Sequence, residues 1–302
     1  MEYYSGKRVL VTGGAGFIGS NLCEALVELG AHVSILDNLS TGHQENLEVI
    51  KDQVTFIQGS ITRLESCISA CKGIDIVMHL AALVAITKGQ ADPHHCLETN
   101  VQGTINVLEA ARLCNVRTVV FASTAAIYGN HSGLCSEGLA PGPVSVYGYA
   151  KLLGEQTCQL YSKSYGIRTV SLRFFNVYGP RQDAKGGDGV LAIFNEKLKA
   201  NMPIAIFGDG QQTRDFIHVR DVVRAVLHAG TFDEHHADGQ PFNVGTGRST
   251  TLLNKLEELM ARYPAYSGSI RYLPDRPGDI KHSQADCSKF KKALEYTRNP
   301  AS

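Results

Sequence analysis

The sequence predicts an α/β fold: a doubly wound parallel sheet followed by a smaller mixed α/β C-terminal region. Three observations carry this. Apolar runs of strand length alternate with segments whose apolar residues recur at helical spacing, the pattern of a parallel sheet buried on both faces. The glycines of T-G-G-A-G-F-I-G stand where the first run passes into the first helix. After Phe175 the rhythm changes: glycine and proline become frequent, as in Y-G-P-R-Q-D-A-K-G-G-D-G, and charged residues interleave among short strands.

The elements follow in order. R-V-L-V-T (8–12) is the first strand. The helix after it brings Ile18, Leu22, Ala25, Leu26 and Leu29 to one face, and Gly30 closes it. V-S-I-L-D (33–37), V-T-F-I-Q (54–58) and I-D-I-V-M-H-L-A-A (74–82) are the next strands. V-R-T-V-V-F-A-S-T (116–124) and R-T-V-S-L-R-F-F (168–175) are the fifth and sixth. Helical patterns separate most of the strands, among them 100–113 before the fifth and 151–165 before the sixth. Residues 1–175 therefore form a dinucleotide-binding domain and 176–302 a substrate domain, with segments within about 215–245 returning to the first. Ligands of such a sheet bind beyond the carboxyl ends of its strands.

Composition narrows the function. Of 302 residues 43% are hydrophobic and 19% charged, which suits a globular chain with a real core. Twenty-nine basic residues balance 29 acidic ones, which argues against nucleic acid or an anionic membrane as partner. There is no apolar run near the roughly 18 residues that span a bilayer. The start M-E-Y-Y-S-G-K-R lacks a signal-peptide pattern, so the expected location is cytoplasmic. The 8 cysteines form no C-x-x-C, and Cys67 and Cys71 are the one close pair. Reduced structural thiols and no metal are expected. His94-His95 and His235-His236 read as surface residues in polar loop-like stretches.

Two motifs carry chemistry. Gly13, Gly16 and Gly19 allow a tight turn and a close approach of backbone to a pyrophosphate. The helix that follows offers N–H groups and the positive end of its dipole. This is the Rossmann-type arrangement. Asp37 ends the second strand about two dozen residues on; a carboxylate there accepts from both ribose hydroxyls and repels a 2′-phosphate, favouring NAD over NADP. Tyr147 and Lys151, in V-Y-G-Y-A-K, are four apart and share a helix face. A free tyrosine, with a pKa near 10, is a poor base at neutral pH. Lowering that by about three units needs roughly 4 kcal/mol of differential stabilisation, which an ammonium and an oxidised nicotinamide supply in a dry cleft. The upstream A-S-T-A-A-I-Y-G is expected to place Ser123 and Thr124 facing the nicotinamide.

These residues, with H-L-A-A, T-N-V-Q-G-T, R-F-F-N-V-Y-G-P-R-Q, T-R-D-F-I-H-V-R-D and R-P-G-D-I-K-H-S, resemble the extended short-chain dehydrogenase/reductases of the NAD-dependent nucleotide-sugar epimerase/dehydratase family over nearly the whole chain. The resemblance implies roles by position. Around NAD stand Gly13, Gly16, Phe17, Ile18 and Gly19 after the first strand, and Asp37, Asn38, Ser40, Thr41 and Gly42 after the second. Ser60 and Ile61 follow the third, and Leu80, Ala81 and Ala82 the fourth. Asn100, Ser123, Phe174 and Val177 complete the set with Tyr147 and Lys151. Ser60 departs from the aspartate that relatives often place there beside adenine.

Thr124 resembles the hydroxyl that holds the sugar O4, and Asn176 a substrate-diphosphate contact. Arg214 and Arg276 resemble the arginines that grip the diphosphate, whose oxygens match guanidinium forks. Asp279 resembles the carboxylate on the uridine ribose, and Ala205 and Phe207 resemble the residues that flank the uracil. Val84, Val190 and Leu191 complete the expected substrate contacts. The family's dehydratases carry Asp-Glu after the Thr124 position and related decarboxylases a Glu; this chain has Ala125-Ala126, so elimination lacks its acid and base.

What the resemblance implies is 4-epimerisation of a UDP-hexose: transient oxidation at C4, rotation of the keto-sugar and hydride return to its other face. Ser283 resembles the family's gatekeeper beside the sugar C2 substituent, where a small residue admits N-acetyl groups and a tyrosine excludes them. UDP-N-acetylglucosamine and UDP-N-acetylgalactosamine are the expected substrates. The alternatives are a UDP-glucose/UDP-galactose enzyme with little N-acetyl activity, a UDP-glucuronate 4-epimerase, and a non-catalytic NAD-sensing regulator on the same fold. The family pairs the helices over 100–113 and 151–165 across a two-fold axis, so a homodimer is expected, with Val101, Ile105, Leu108, Leu152, Leu153 and Leu160 offering apolar surface.

Overall fold

The computed structural model describes residues 2–183, 189–233, 236–274 and 280–298. Arg276, Asp279 and His235 lie outside the described residues. The chain opens with β1 (Arg8–Thr12), α1 (Phe17–Glu28), β2 (His32–Asp37), β3 (Val54–Gln58), α2 (Leu64–Cys71) and β4 (Ile76–His79). Short helices α3 (Ile86–Ala91) and α4 (Pro93–Leu97) and a π-helical turn (Glu98–Gln102) lead into α5 (Gly103–Leu113). Then come β5 (Thr118–Thr124), α6 (Val146–Tyr165) and β6 (Arg168–Phe174). Beyond lie β7 (Asn176–Tyr178), α7 (Val190–Lys199), β8 (Ile204–Phe207), β9 (Thr213–Arg214), β10 (Phe216–His218) and α8 (Val219–Ala229). The chain continues through β11 (Asp238–Val244), β12 (Thr250–Thr251), α9 (Leu252–Met260), β13 (Ile270–Leu273) and α10 (Ser288–Arg298).

Seven strands make one parallel sheet in the order β11-β6-β5-β4-β1-β2-β3. Its strands are rich in valine and isoleucine, and β1, β4, β5 and β6 are buried almost end to end because helices cover both faces. On one face Leu22 and Leu26 of α1 and Val222, Val223 and Val226 of α8 close over Val9, Val11 and Met78. On the other, Val107 and Leu108 of α5 and Cys158 of α6 cover Leu10, Val77 and Phe121. The direction of strand order reverses between β1 and β4, the topological switch point that opens a crevice at the strand ends.

The elements after Phe175 that do not return to the sheet have their own small core of Leu191, Phe194, Leu198, Ile204, Ile206, Leu252 and Leu256. They carry three separate two-stranded pairings, β10-β7, β12-β9 and β13-β8. Among the described residues no helix is long and apolar enough to cross a membrane. The cysteines are unpaired, and burial pushes the thiols of Cys67, Cys71 and Cys158 up to about 12, which leaves them unreactive. His94 and His95 are exposed as expected, though on α4 and not in a loop; His236 is half-buried and meets Asp233 through Nδ1 at 2.8 Å.

Candidate functional site

Two cavities open at the carboxyl ends of the sheet and meet. The first, about 480 Å³, is lined by every expected cofactor residue except Asn100. Its floor is the turn after β1. Gly13 has φ +72°, and a Cβ there would lie 2.7 Å from the Ala81 nitrogen; at Gly19 a Cβ would lie 2.1 Å from the Gly13 carbonyl. The turn is thus wedged between α1 and the chain leaving β4, where only hydrogen fits. No side chain caps α1 at Gly16, which leaves its first N–H groups turned to a ligand. The Asp37 carboxylate accepts from the Ala15 N–H at 3.0 Å and the Leu39 N–H at 2.8 Å, which aims it at the cavity with lone pairs to spare.

A polar stack behind the turn holds β1 and β4 in step. Thr104 Oγ1 donates to the Asn100 carbonyl at 2.7 Å, so it accepts from His79 Nε2 at 3.1 Å. His79 Nδ1 then accepts from Thr12 Oγ1 at 2.7 Å, and Thr12 Oγ1 accepts from the Ala81 N–H at 3.2 Å. Every proton is placed with a neutral imidazole. Burial, then the charge of Lys151, pushes the His79 pKa down to about 3.

Asn100 is a correction. It is buried behind the cavity wall, where Oδ1 accepts from the Leu83 N–H at 2.8 Å and Nδ2 donates to the Leu83 carbonyl at 2.9 Å. It supports the loop after β4 and does not line the cavity. Ser123 is a partial one: it lines the cavity, but its hydroxyl donates away from it to Glu155 Oε1 at 2.6 Å.

Ser145 caps α6 by accepting from the Gly148 N–H at 3.1 Å, and the helix ends at left-handed Gly166. In its first two turns Tyr147 and Lys151 line the cavity together, as their spacing requires. A Cβ on Gly154 would stand 2.5 Å from the Phe121 ring, so α6 lies hard against β5. The buried Lys151 Nζ donates to the Ala122 carbonyl at 2.8 Å and lies 4.7 Å from the Phe121 ring centre. Burial pushes its pKa down to about 8.

The second cavity, about 620 Å³, shares Val84, Thr124, Tyr147, Phe174 and Asn176 with the first. Val190, Ala205, Phe207, Arg214 and Ser283 line it as well. Leu191 does not. Its side chain is buried among Phe194, Leu198 and Leu256, because neighbours on a helix point about 100° apart and Val190 takes the cavity side. The charged lining residues among those described are Lys197 and Arg214, with no carboxylate, which suits a polyanion. Lys197, Gln212 and Ser145 in this cavity carry no motif that would have announced them, and Gln182 in the first closes R-F-F-N-V-Y-G-P-R-Q with no role implied for it there. Gln182 arrives because Arg181 pairs with Glu24 and holds the loop after β7 against α1.

Residues 9–245 match the NAD dependent epimerase/dehydratase family. The chain belongs to this family. A UDP-glucose 4-epimerase of Mycolicibacterium smegmatis is 38% identical over 295 residues, 96% of this chain and 93% of that protein. The UDP-glucose 4-epimerase of Thermotoga maritima, solved with UDP-glucose, superposes with a TM-score of 0.88 at 36% identity, covering 98% of this chain and 100% of that one. A UDP-N-acetylglucosamine 4-epimerase of Methanobrevibacter ruminantium, solved with UDP-N-acetylmuramic acid, gives a TM-score of 0.88 at 33% identity over 97% of each chain. The Rossmann-type epimerase fold holds throughout, and NAD is the cofactor that membership in the NAD-dependent epimerase/dehydratase family assigns. The glycine turn, the uncapped α1 and Asp37 fit it without change.

Proposed function

We propose that the protein is an NAD-dependent UDP-hexose 4-epimerase that accepts N-acetylated sugars, interconverting UDP-N-acetylglucosamine with UDP-N-acetylgalactosamine and UDP-glucose with UDP-galactose. The division falls near Phe175, a cofactor half before it and a sugar half after. The reading rests foremost on Thr124 and Tyr147 standing where the two cavities meet, with Ala125 and Ala126, not carboxylates, beside them in the sugar cavity. The names of the similar epimerases support the UDP-sugar and the 4-position. Small, buried Ser283 in the sugar cavity supports the N-acetyl preference.

When bound, NAD supplies a reversible two-electron acceptor that is regenerated within one turnover. Tyr147 takes the proton of the sugar C4 hydroxyl and later returns it. The Lys151 ammonium, tied to the Ala122 carbonyl, favours the phenolate. Thr124 holds O4. Asn176, Arg214 and Lys197, with Arg276, bind the diphosphate. Asp279 meets the ribose, and Ala205 and Phe207 the uracil.

The helix face of Leu153 and Leu160, 43% and 57% exposed, supports a homodimer through α5 and α6. Leu108 belongs to the core and not to that face. The test is to incubate the protein with each UDP-hexose and resolve the C4 epimers by chromatography. Both pairs interconvert without added cofactor; stoichiometric release of NADH, or no epimer from any UDP-hexose, overturns the reading.

A further inference from the structure

Under the catalytic strand end lies a buried ion pair that the proposed chemistry does not use. Arg173 of β6 donates from Nε to Glu155 Oε1 at 2.9 Å and from Nη2 to Glu155 Oε2 at 2.7 Å. Glu155 sits one turn beyond Lys151 on α6, and it accepts the Ser123 hydroxyl next to Thr124. The third guanidinium nitrogen, Nη1, donates to the Tyr128 hydroxyl at 3.0 Å. That hydroxyl spends its one proton on Asn243 Oδ1 at 2.7 Å. Asn243, on β11, donates to the carbonyls of Cys135 at 2.7 Å and Asp286 at 3.1 Å. Cys135 in turn binds residues 284 and 286 through its backbone at 2.8 Å each. Ser283 directly precedes that strip.

A continuous run of hydrogen bonds therefore joins the strand end that carries Thr124 to the segment that carries the sugar gate. All its side chains are buried, so each link left unmade leaves a desolvated polar group behind. Such a run holds two distant segments at fixed separation more stiffly than apolar contact does, because hydrogen bonds are directional.

We propose that Tyr128 is a positioning residue: its hydroxyl joins the Glu155–Arg173 pair to Asn243 and so sets the distance between the Ser283 segment and the catalytic strand end, and with it the choice of C2 substituent. The specificity part rests on the function proposed above; the brace itself does not.

Tyr128→Phe keeps the ring that packs 6.3 Å from Phe175 and removes the link. Amide hydrogen exchange of residues 280–287 becomes about tenfold faster or more, whereas the glycine turn after β1 is unchanged and NAD copurifies as in wild type. The ratio of kcat/KM for the N-acetyl pair to that for the plain pair shifts at least about threefold, mainly through KM. In a Ser283→Ala background the same substitution moves that ratio less. Unchanged exchange at 280–287 overturns the brace. Faster exchange with an unmoved ratio, or an equal shift in both backgrounds, overturns the specificity role. Exchange needs no turnover, so a wild-type protein that forms no C4 epimer overturns the proposed reaction while exchange still decides the brace.

Discussion

The two cavities are made in different ways. The cofactor cavity is shaped by backbone: a turn wedged between α1 and the end of β4, helix N–H groups, and a carboxylate held by two main-chain donors. The second cavity, the proposed sugar site, is shaped by side chains brought from α6, α7, β8, β9 and the segment around Ser283. Backbone geometry tolerates no change, since the added atom has nowhere to go. Side-chain walls tolerate change and alter what they select.

Gly19→Ala gives the largest effect on this view. Its methyl would meet the Gly13 carbonyl, so the turn opens, NAD no longer copurifies and epimerisation falls below detection; retention of NAD by this variant would break the comparison. Tyr147→Phe comes next. It removes the proton acceptor while leaving the ring, so turnover falls by at least about 10²-fold, within the range for a general base, with NAD still bound. Near-normal rates would remove Tyr147 from that role.

Ser283→Tyr is expected to act on choice alone. Overpacking costs roughly 1–3 kcal/mol, so the N-acetyl pair loses at least about tenfold in kcat/KM while UDP-glucose and UDP-galactose are largely spared. A parallel loss on both pairs would mean general damage. The smallest effect is on stability. The His79 pKa is depressed in the fold, so the unfolded chain binds more protons between about pH 3 and 6.5. Stability from His79 is present above that window and is lost as pH falls through it, about 2 kcal/mol by pH 5. Melting of wild type against His79→Asn from pH 7 to 5 reads this: the variant starts lower and declines less steeply.

The same contrast explains what was legible in the sequence. Gly13, Gly16, Gly19 and Asp37 were legible because a close approach demands particular residues at fixed spacing. Tyr147 and Lys151 were legible because helical period alone puts them together. Asn100 was found as a residue but not as a contact, since its pairing with Leu83 across 17 residues follows from no local pattern. Choosing Val190 over Leu191 needed the docking angle of α7. Lys197 and Gln212 enter by tertiary placement, and Tyr128 meets Asn243 across 115 residues, a pairing no local pattern encodes.

The return of the chain to the sheet has a practical consequence for recombination between relatives. Strand β11 pairs with β6, and α8 packs over β1 and β4, although both follow β7 in the chain. An exchange of everything after Phe175 would carry off an edge strand and a covering helix of the recipient's cofactor half. A chimera that trades sugar preference must instead splice in two inserts, one before Val219 and one after Val244, and leave the stretch between them native.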